Sequence, residues 1–334
     1  MTRPPTLRDV AAASGVAIST ASRALTKPGR VNERTATRVR EAARELGYSP
    51  SLSGRALSSG RTGMVALVVP DVTNPYFFGI VRGTAARLRA DGYVHVLVDA
   101  EESVEAEERA LRALRPTVDG AVLAASRLDD DRLTAWSHEF PMVTVNRPVP
   151  DQSGVLVDTA GGTGQALAHL ASLGHRRVAY AGGPRASWSD RRRRAVLRTA
   201  AKRLDVEVVA IGPFVPRRED GAAAADAALH AGVTAVLAFD DLLAFGILDR
   251  LAERGVDVPG AMSVVGCDDV FGADLVRPGL TTIAAPLERA GHAAADLLLA
   301  RLDPTHPGGT VTVELPTHLV IRGSTGTAPL RVVR

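Results

Sequence analysis

From residue 64 onward, short Val-rich runs alternate with segments of helix length, and nothing else in the chain restricts its fold as much. Largely apolar runs fall at 64–69, 94–98, 121–124, 142–145, 178–181, 235–239 and 263–266. Amphipathic segments near 76–91, 104–115, 161–173, 190–204, 221–230, 241–254 and 287–302 separate or follow them. Val-rich strands joined by helical crossovers predict parallel sheets covered on both faces. The units are too many for one compact sheet, so two doubly wound α/β lobes are expected. The first should end near Asp158, where Gly161-Gly162-Thr163-Gly164 opens the next helix.

The first sixty residues follow a different pattern. Thr6 and Asp9 are spaced as a capping box, and Val10, Ala11 and Ala13 continue a short helix. Ser14-Gly15-Val16 breaks it, since Gly15 can take the positive φ that ends a helix. A second helix is expected from about Ala17 to Leu25. A third begins at Asn32, a good N-cap, runs through Val39, Ala42, Ala43 and Leu46, and stops at Gly47. Two short helices joined by a Gly-containing turn make a helix-turn-helix unit. A plain three-helix bundle with a basic surface is the alternative.

Charge separates the two regions. Residues 1–61 carry eleven Arg and Lys against four acids, a balance of +7, while the rest carries 29 against 33, or −4. A basic module on a mildly acidic body is the electrostatic footprint of nucleic-acid binding, although a solvated basic face has the same composition. The single cysteine, Cys267, precludes an internal disulfide and fits a reducing compartment. The polar N-terminus has no apolar signal core, and no run reaches the roughly 18 apolar residues of a membrane span. A cytoplasmic protein without membrane association is expected.

Thr6-Leu7-Arg8-Asp9-Val10-Ala11, Gly15-Val16, Ser19-Thr20-Ala21-Ser22-Arg23-Ala24-Leu25, Val31-Asn32 and Leu46-Gly47-Tyr48-Ser49-Pro50 resemble, in order and spacing, the LacI/GalR family of repressors. The body continues the resemblance in Val68-Val69-Pro70-Asp71-Val72-Thr73-Asn74-Pro75-Tyr76-Phe77, Leu173-Gly174-His175-Arg176-Arg177-Val178, Val264-Val265-Gly266-Cys267-Asp268-Asp269 and Pro278-Gly279-Leu280-Thr281-Thr282-Ile283. The resemblance implies a helix-turn-helix head over 1–48, a hinge helix or linker over 49–61 and a sensing core over 62–334. That core would be of periplasmic-binding-protein type, with a first lobe of about 62–158 and 286–315 and a second of about 159–285 and 316–328. Three crossovers would join the lobes, with ligand in the cleft.

The resemblance also assigns roles. Ile18, Ser19 and Arg23 fall at base-reading positions of the recognition helix. Thr6, Thr20, Ser22, Arg30, Asn32 and Thr35 fall at positions that touch the phosphate backbone. In the hinge, Leu57 would wedge between base pairs and Arg55 would track a phosphate. Gly54 replaces the usual Ala there and costs about 1 kcal/mol of helix stability, so the free hinge should be largely unfolded. A Ser/Gly linker is the alternative for this stretch.

In doubly wound sheets ligands lie at the C-terminal ends of strands. That rule selects Asn74, Tyr76 and Phe77, then Asn146 and Arg147, then Ser187, Trp188, Ser189 and Arg193, and finally Asp240 and Asp268. Arg193 lies at the family's ligand-gripping position, and Asp240 stands where the family usually has Asn. Paired Asp and Arg suit adjacent hydroxyls, so a sugar is the expected effector. Arg191 to Arg194 form a run read as solvated or paired, with a second nucleic-acid patch as the alternative.

Neither the pattern G-x-G-x-x-G nor the P-loop with its Lys occurs, and no G-x-S-x-G or H-E-x-x-H is found. The eight His are scattered. No enzyme activity, cofactor or metal is therefore expected. The expected function is that of an effector-controlled regulator, most simply a repressor. It would bind a pseudo-palindromic operator as a homodimer. A transporter's solute-binding protein shares the lobes and is the alternative reading.

Overall fold

The structure, a computed structural model, describes residues 3, 5–26, 29–48, 61–305 and 309–329. The chain divides into two units, Met1–Gly63 and Met64–Arg334. The hinge residues Gly54, Arg55 and Leu57 lie outside the described residues.

In the first unit, helices α1 (Leu7–Ala13), α2 (Ile18–Thr26) and α3 (Glu33–Glu45) follow the expected boundaries to within a residue. Asp9 Oδ2 accepts the Thr6 backbone N–H and the Thr6 hydroxyl, each at 2.7 Å, so the capping box starts α1. The hydroxyl bond, with the backbone bond behind it, holds the Asp9 carboxyl below its ordinary range. Gly15 takes a φ of +61° and turns the chain out of α1. Asn32 Oδ1 accepts the Arg34 N–H at 2.9 Å and opens α3. Val10 and Val39 are fully buried among Ala11, Ala21, Ala24, Ala42 and Ala43. Alanine on the inner face of α2 lets it lie close to its neighbours while Ile18, Ser19 and Arg23 remain exposed.

The second unit runs β1 (Met64–Val69), α4 (Tyr76–Ala90), β2 (Val94–Asp99), α5 (Val104–Leu114), β3 (Gly120–Ala124), α6 (Asp130–Glu139), β4 (Met142–Val145) and β5 (Gly154–Val157). It continues as α7 (Thr159–Ser172), β6 (Arg177–Ala181), α8 (Trp188–Leu204), β7 (Glu207–Ile211), α9 (Gly221–His230), β8 (Ala235–Ala238), α10 (Asp241–Glu253), β9 (Ser263–Asp268) and β10 (Thr281–Ala284). It ends with α11 (Leu287–Leu302), β11 (Thr312–Leu315) and β12 (His318–Val320). One sheet has the order β2-β1-β3-β4-β5-β11 and is parallel throughout. The other has the order β7-β6-β8-β9-β10-β12, with only β12 antiparallel. Separate apolar clusters cover the two faces of each sheet, as double winding requires.

The chain passes between the sheets three times: from β5 to α7, from β10 to α11 and from β11 to β12. In both sheets the strand order reverses beside the first strand, leaving a crevice at the C-terminal ends. The two crevices face one cleft.

Every expected strand is present, but β5, β7, β10, β11, β12 and helix α6 were not anticipated. β7, β11 and β12 lie at or near sheet edges, where exposed polar residues interrupt the apolar signal. Helix α6 buries only Leu133 and Ser137, so its sequence shows little helical periodicity.

Two details of packing set the cleft wall. A Cβ on Gly83 would lie 2.0 Å from the Glu288 carbonyl oxygen, and one on Gly291 would lie 2.2 Å from that of Ile80. These glycines let α4 and α11 pack backbone to backbone, which fixes the start of α4 at the cleft. At the start of α7, Asp158 Oδ1 accepts the Gly161 N–H at 2.8 Å. The chain's own carboxylate thus occupies the position that a phosphate takes in a phosphate-binding loop.

Candidate functional site

Two surfaces are candidates, and the first is the outer face of α2. Ile18 is 45% exposed and gives this face an apolar contact point. Ser19 and Arg23, one helical turn apart, are exposed beside it. Thr20 and Ser22 are half-buried on the same helix, and Thr6 and Thr35 are half-buried at the starts of α1 and α3. Arg30 and Asn32 are exposed in the loop before α3. Asn32 uses its carbonyl oxygen as the cap, so its amide NH2 is the group suited to a phosphate. The short side chains around Arg23 permit close approach to a groove, and its guanidinium can bond a guanine edge with two donors.

The second surface is the cleft between the sheets. Its central cavity, about 40 Å³, is lined from the first sheet by Asn74, Tyr76, Phe77, Glu102, Arg127 and Asn146. From the second sheet come Ser187, Ser189, Arg193, Phe239, Asp240 and Asp268. At about 10–15 Å³ per water this volume is closed down to a few water molecules. Asn74 Nδ2 donates to Asp240 Oδ2 at 3.3 Å and bridges the two lobes directly.

Several of the polar side chains are anchored by bonds to the surrounding elements. Asn74 Oδ1 accepts the Tyr76 N–H at 2.9 Å at the start of α4. Asn146 donates to the Tyr76 hydroxyl at 2.6 Å and accepts the Val157 N–H at 2.7 Å. Asp240 caps α10 through the Leu243 N–H at 2.9 Å. Ser187 caps α8 by accepting the Asp190 N–H at 3.2 Å. Arg193 donates to the Phe239 carbonyl and, at 3.2 Å, to the Thr159 hydroxyl, with its guanidinium 4.8 Å from the Phe239 ring centre. Tyr76 and Phe77 meet edge to face with ring centres 4.9 Å apart, giving the cleft an apolar wall.

The backbone is strained at the same places. Asn146 has a φ of +56° and Asp268 one of +117°, conformations that cost a residue other than glycine about 1–3 kcal/mol. Both lie at C-terminal strand ends and aim side chains into the cavity.

Burial changes the ionisation of the acids. It raises the Asp240 carboxyl to about 6 against the opposing bonds from Leu243 and Asn74 and the charge of Arg193. It pushes Asp268 well above the carboxylate range despite Arg193, with Asp241 and Asp240 adding to the rise. Burial thus shifts both carboxyls toward their protonated forms beside the Arg193 guanidinium. The result is a set of donors and acceptors of both kinds between aromatic walls. The lining contains no histidine and no nucleophile–base pair.

The structure does not bring Arg147 or Trp188 into this cavity, which corrects the strand-end expectation for both. Arg147 turns away to the Leu128 carbonyl at 2.7 Å and to Asp130 at 2.6 Å. Trp188 is half-buried with the Arg192 guanidinium 5.7 Å from its ring. Glu102, Arg127 and Phe239 were missed. Arg127 and Glu102 form a two-bond ion pair at 2.6 and 2.9 Å, with the Arg127 N–H donating to Glu107 at 2.9 Å. All three stand just beyond C-terminal strand ends, so the rule that selected Asn74 and Asn146 applies equally to them. The four-Arg run resolves into separate roles: Arg193 enters the cleft, Arg194 pairs with Asp190 at 2.6 Å, and Arg191 and Arg192 are exposed.

A helix-turn-helix head and a two-lobed body of binding-protein type, in one chain, define a transcription regulator with a sensing body. Comparison with known proteins agrees. Residues 6–51 match the family described as bacterial regulatory proteins, lacI family, and residues 167–325 match the periplasmic binding protein-like domain. CelR, a transcriptional regulator of Thermobifida fusca, is 35% identical over 341 residues, covering 96% of this chain and 98% of the relative. The CytR repressor of Escherichia coli K12 is 30% identical over 332 residues, covering 97% of each. The Lac repressor dimer bound to operator and the anti-inducer ONPF superposes with a TM-score of 0.86 at 27% identity, covering 97% of this chain and 100% of that one. The chain belongs to the LacI family of bacterial transcription regulators. Among the described residues, no helix is long and apolar enough to cross a membrane.

Proposed function

We propose that this regulator is a homodimeric repressor whose hold on a pseudo-palindromic operator is set by a sugar bound between the two lobes. The observation that carries the reading is the cleft lining. Arg193, Asp240, Asp268, Asn74 and Asn146 converge from both sheets on one buried cavity against the rings of Tyr76, Phe77 and Phe239. Closely spaced donors and acceptors suit adjacent hydroxyls, and ring faces suit the C–H faces of a pyranose or furanose. Two structural relatives support the class: a CelR–cellobiose complex, at a TM-score of 0.71 and 33% identity, and a LacI-family regulator from Enterococcus faecium with bound ribose. Operator binding and the dimer draw support from the Lac repressor complex. The solute-binding alternative is disfavoured by the match of residues 6–51 to the regulator head.

The exposed face of α2 would read bases through Ile18, Ser19 and Arg23, with Thr6, Thr20, Ser22, Arg30, Asn32 and Thr35 on phosphates. Admission of a sugar requires the lobes to part, because the closed cavity is far smaller than the roughly 300 Å³ of an ordinary ligand pocket. Lobe movement is then the event that communicates with the head. The test is a thermal-shift screen of mono- and disaccharides, followed by gel shifts on the chain's own upstream DNA with and without each hit. The expected result is at least one sugar that both raises the melting temperature and changes operator affinity. Arg193→Ala should abolish both effects while leaving operator binding. If no sugar acts, or if Arg193→Ala responds as the wild type does, the reading fails.

A further inference from the structure

A second concavity of the body is outside the cleft. A groove of about 1020 Å³ runs between α8 and β7 on the second lobe, floored by Leu197, Ala201, Val208 and Ala210. Its rim carries Arg198, Lys202 and Arg203, all exposed. Among the described residues no carboxylate lies within ion-pair distance of these three, whereas nearby Arg194 and Arg177 are paired with Asp190 and Glu207.

Among the described residues β7 is the outermost strand of its sheet and pairs only with β6. In a parallel ladder alternate residues turn both backbone groups toward the same neighbour. The Glu207 N–H donates to Arg176, and the Ile211 carbonyl accepts from Gly182, so 207, 209 and 211 face inward. Val208 and Ala210 therefore present their N–H and C=O groups to the open edge, and these two residues line the groove. An edge of this kind is a template for another strand. A second copy of the same edge would bring the same cations with it, so the charge selects an acidic partner.

We infer that the α8–β7 groove is a docking site for an extended acidic segment of another protein. That segment adds a strand beside β7, bonding to the backbone of Val208 and Ala210. Its carboxylates meet Arg198, Lys202 and Arg203, and its alternate apolar side chains rest on Leu197 and Ala201. Backbone pairing supplies affinity and the cation rim supplies selectivity. The site is independent of the cleft and of its effector.

The test uses the full-length protein in about 150 mM salt, where exposed charges more than about 8 Å apart are largely screened. The probe is a dye-labelled heptapeptide of alternating Glu and Val, read by fluorescence anisotropy. Saturable binding is expected, weakened at least tenfold by the double variant Arg198→Glu, Lys202→Glu. Both positions are exposed, so the variant should melt as the wild type does. N-methylation of alternate peptide amides should weaken binding by a similar factor, and an alternating Lys and Val peptide should not bind. Equal binding by the double variant would place the peptide elsewhere, on the basic head for example, and overturn the inference. Equal binding by the N-methylated peptide would reduce the site to a charged surface. A larger loss of random duplex DNA binding than of peptide binding in the double variant would make the face a nucleic-acid surface instead. No peptide binding, with self-association of the double variant in sedimentation, would show that the cations only guard an open edge.

Discussion

Asp240 is 3% exposed in the closed cleft, and its carboxyl is raised to about 6, while an unfolded Asp titrates near about 3.9. Folding thus favours the protonated form. The stability this group contributes is complete below about pH 4 and is lost as pH rises through about 6. By pH 8 the penalty is of the order of 2–3 kcal/mol. Asp240→Asn keeps the Oδ1 acceptor for Leu243 and has no charge to bury, while its NH2 gives up the long 3.3 Å bond from Asn74. It should melt several degrees above the wild type at pH 8, with the gap closing toward pH 4, in scanning calorimetry. A gap independent of pH would refute the assignment. On the head, Arg23→Ala should weaken operator binding by about 1–3 kcal/mol while changing random-DNA binding much less, measured by titration at fixed salt. Equal losses would reject base reading. Much of the cleft was legible at this scale because strand ends locate Cα atoms, and Asn74, Asn146, Asp240 and Asp268 all reach the cavity, while Arg193, inside α8, was placed there by the family resemblance. Long side chains defeat the same rule. Arg147 starts at a strand end yet spans back to Leu128 and Asp130, a direction that only packing decides.

Elements hold these residues in place, and α4 is the most sensitive of them. Its Gly83 faces Glu288 and His292 of α11 with no room for a methyl group. Gly83→Ala gains up to about 1 kcal/mol of helix propensity but must separate two backbones. Overpacking of this kind costs about 1–3 kcal/mol or more. A lowered melting temperature is expected, together with weaker sugar binding, since α4 carries Tyr76 and Phe77. Gly164→Ala is the contrasting case. Its new Cβ meets only Val196 Cγ1, at 3.2 Å, so melting should change little. If the two variants melt alike, close helix contact does not position the cleft wall. The sequence pattern made α4 visible as a helix and Val-rich strands visible as a sheet. It did not mark the four-residue strands β5 and β10, which open on a Gly and on two Thr and so lack a full apolar run.

At the scale of the whole molecule, the two lobes were readable from the count of βα units, whereas the three passages between them rested on family resemblance. Those passages matter because they let the lobes move without separating. The Asn74–Asp240 bond and the small central cavity describe the closed arrangement. If sugar binding and operator binding each favour one of two lobe arrangements, the coupling between them is a single free energy. It is typically about 1–3 kcal/mol, or roughly 5–150-fold in affinity. Linkage then requires reciprocity: the factor by which a saturating sugar changes operator Kd must equal the factor by which saturating operator changes sugar Kd. Anisotropy on labelled operator gives the first factor, and calorimetric titration of sugar into free and operator-bound protein gives the second. Equal factors are expected, and Arg193→Ala should remove sugar binding and with it both factors. Unequal factors at a fixed dimer concentration would mean that a further equilibrium, such as dimer dissociation, intervenes between cleft and head. The two-arrangement account would then have to give way to one in which assembly carries the signal.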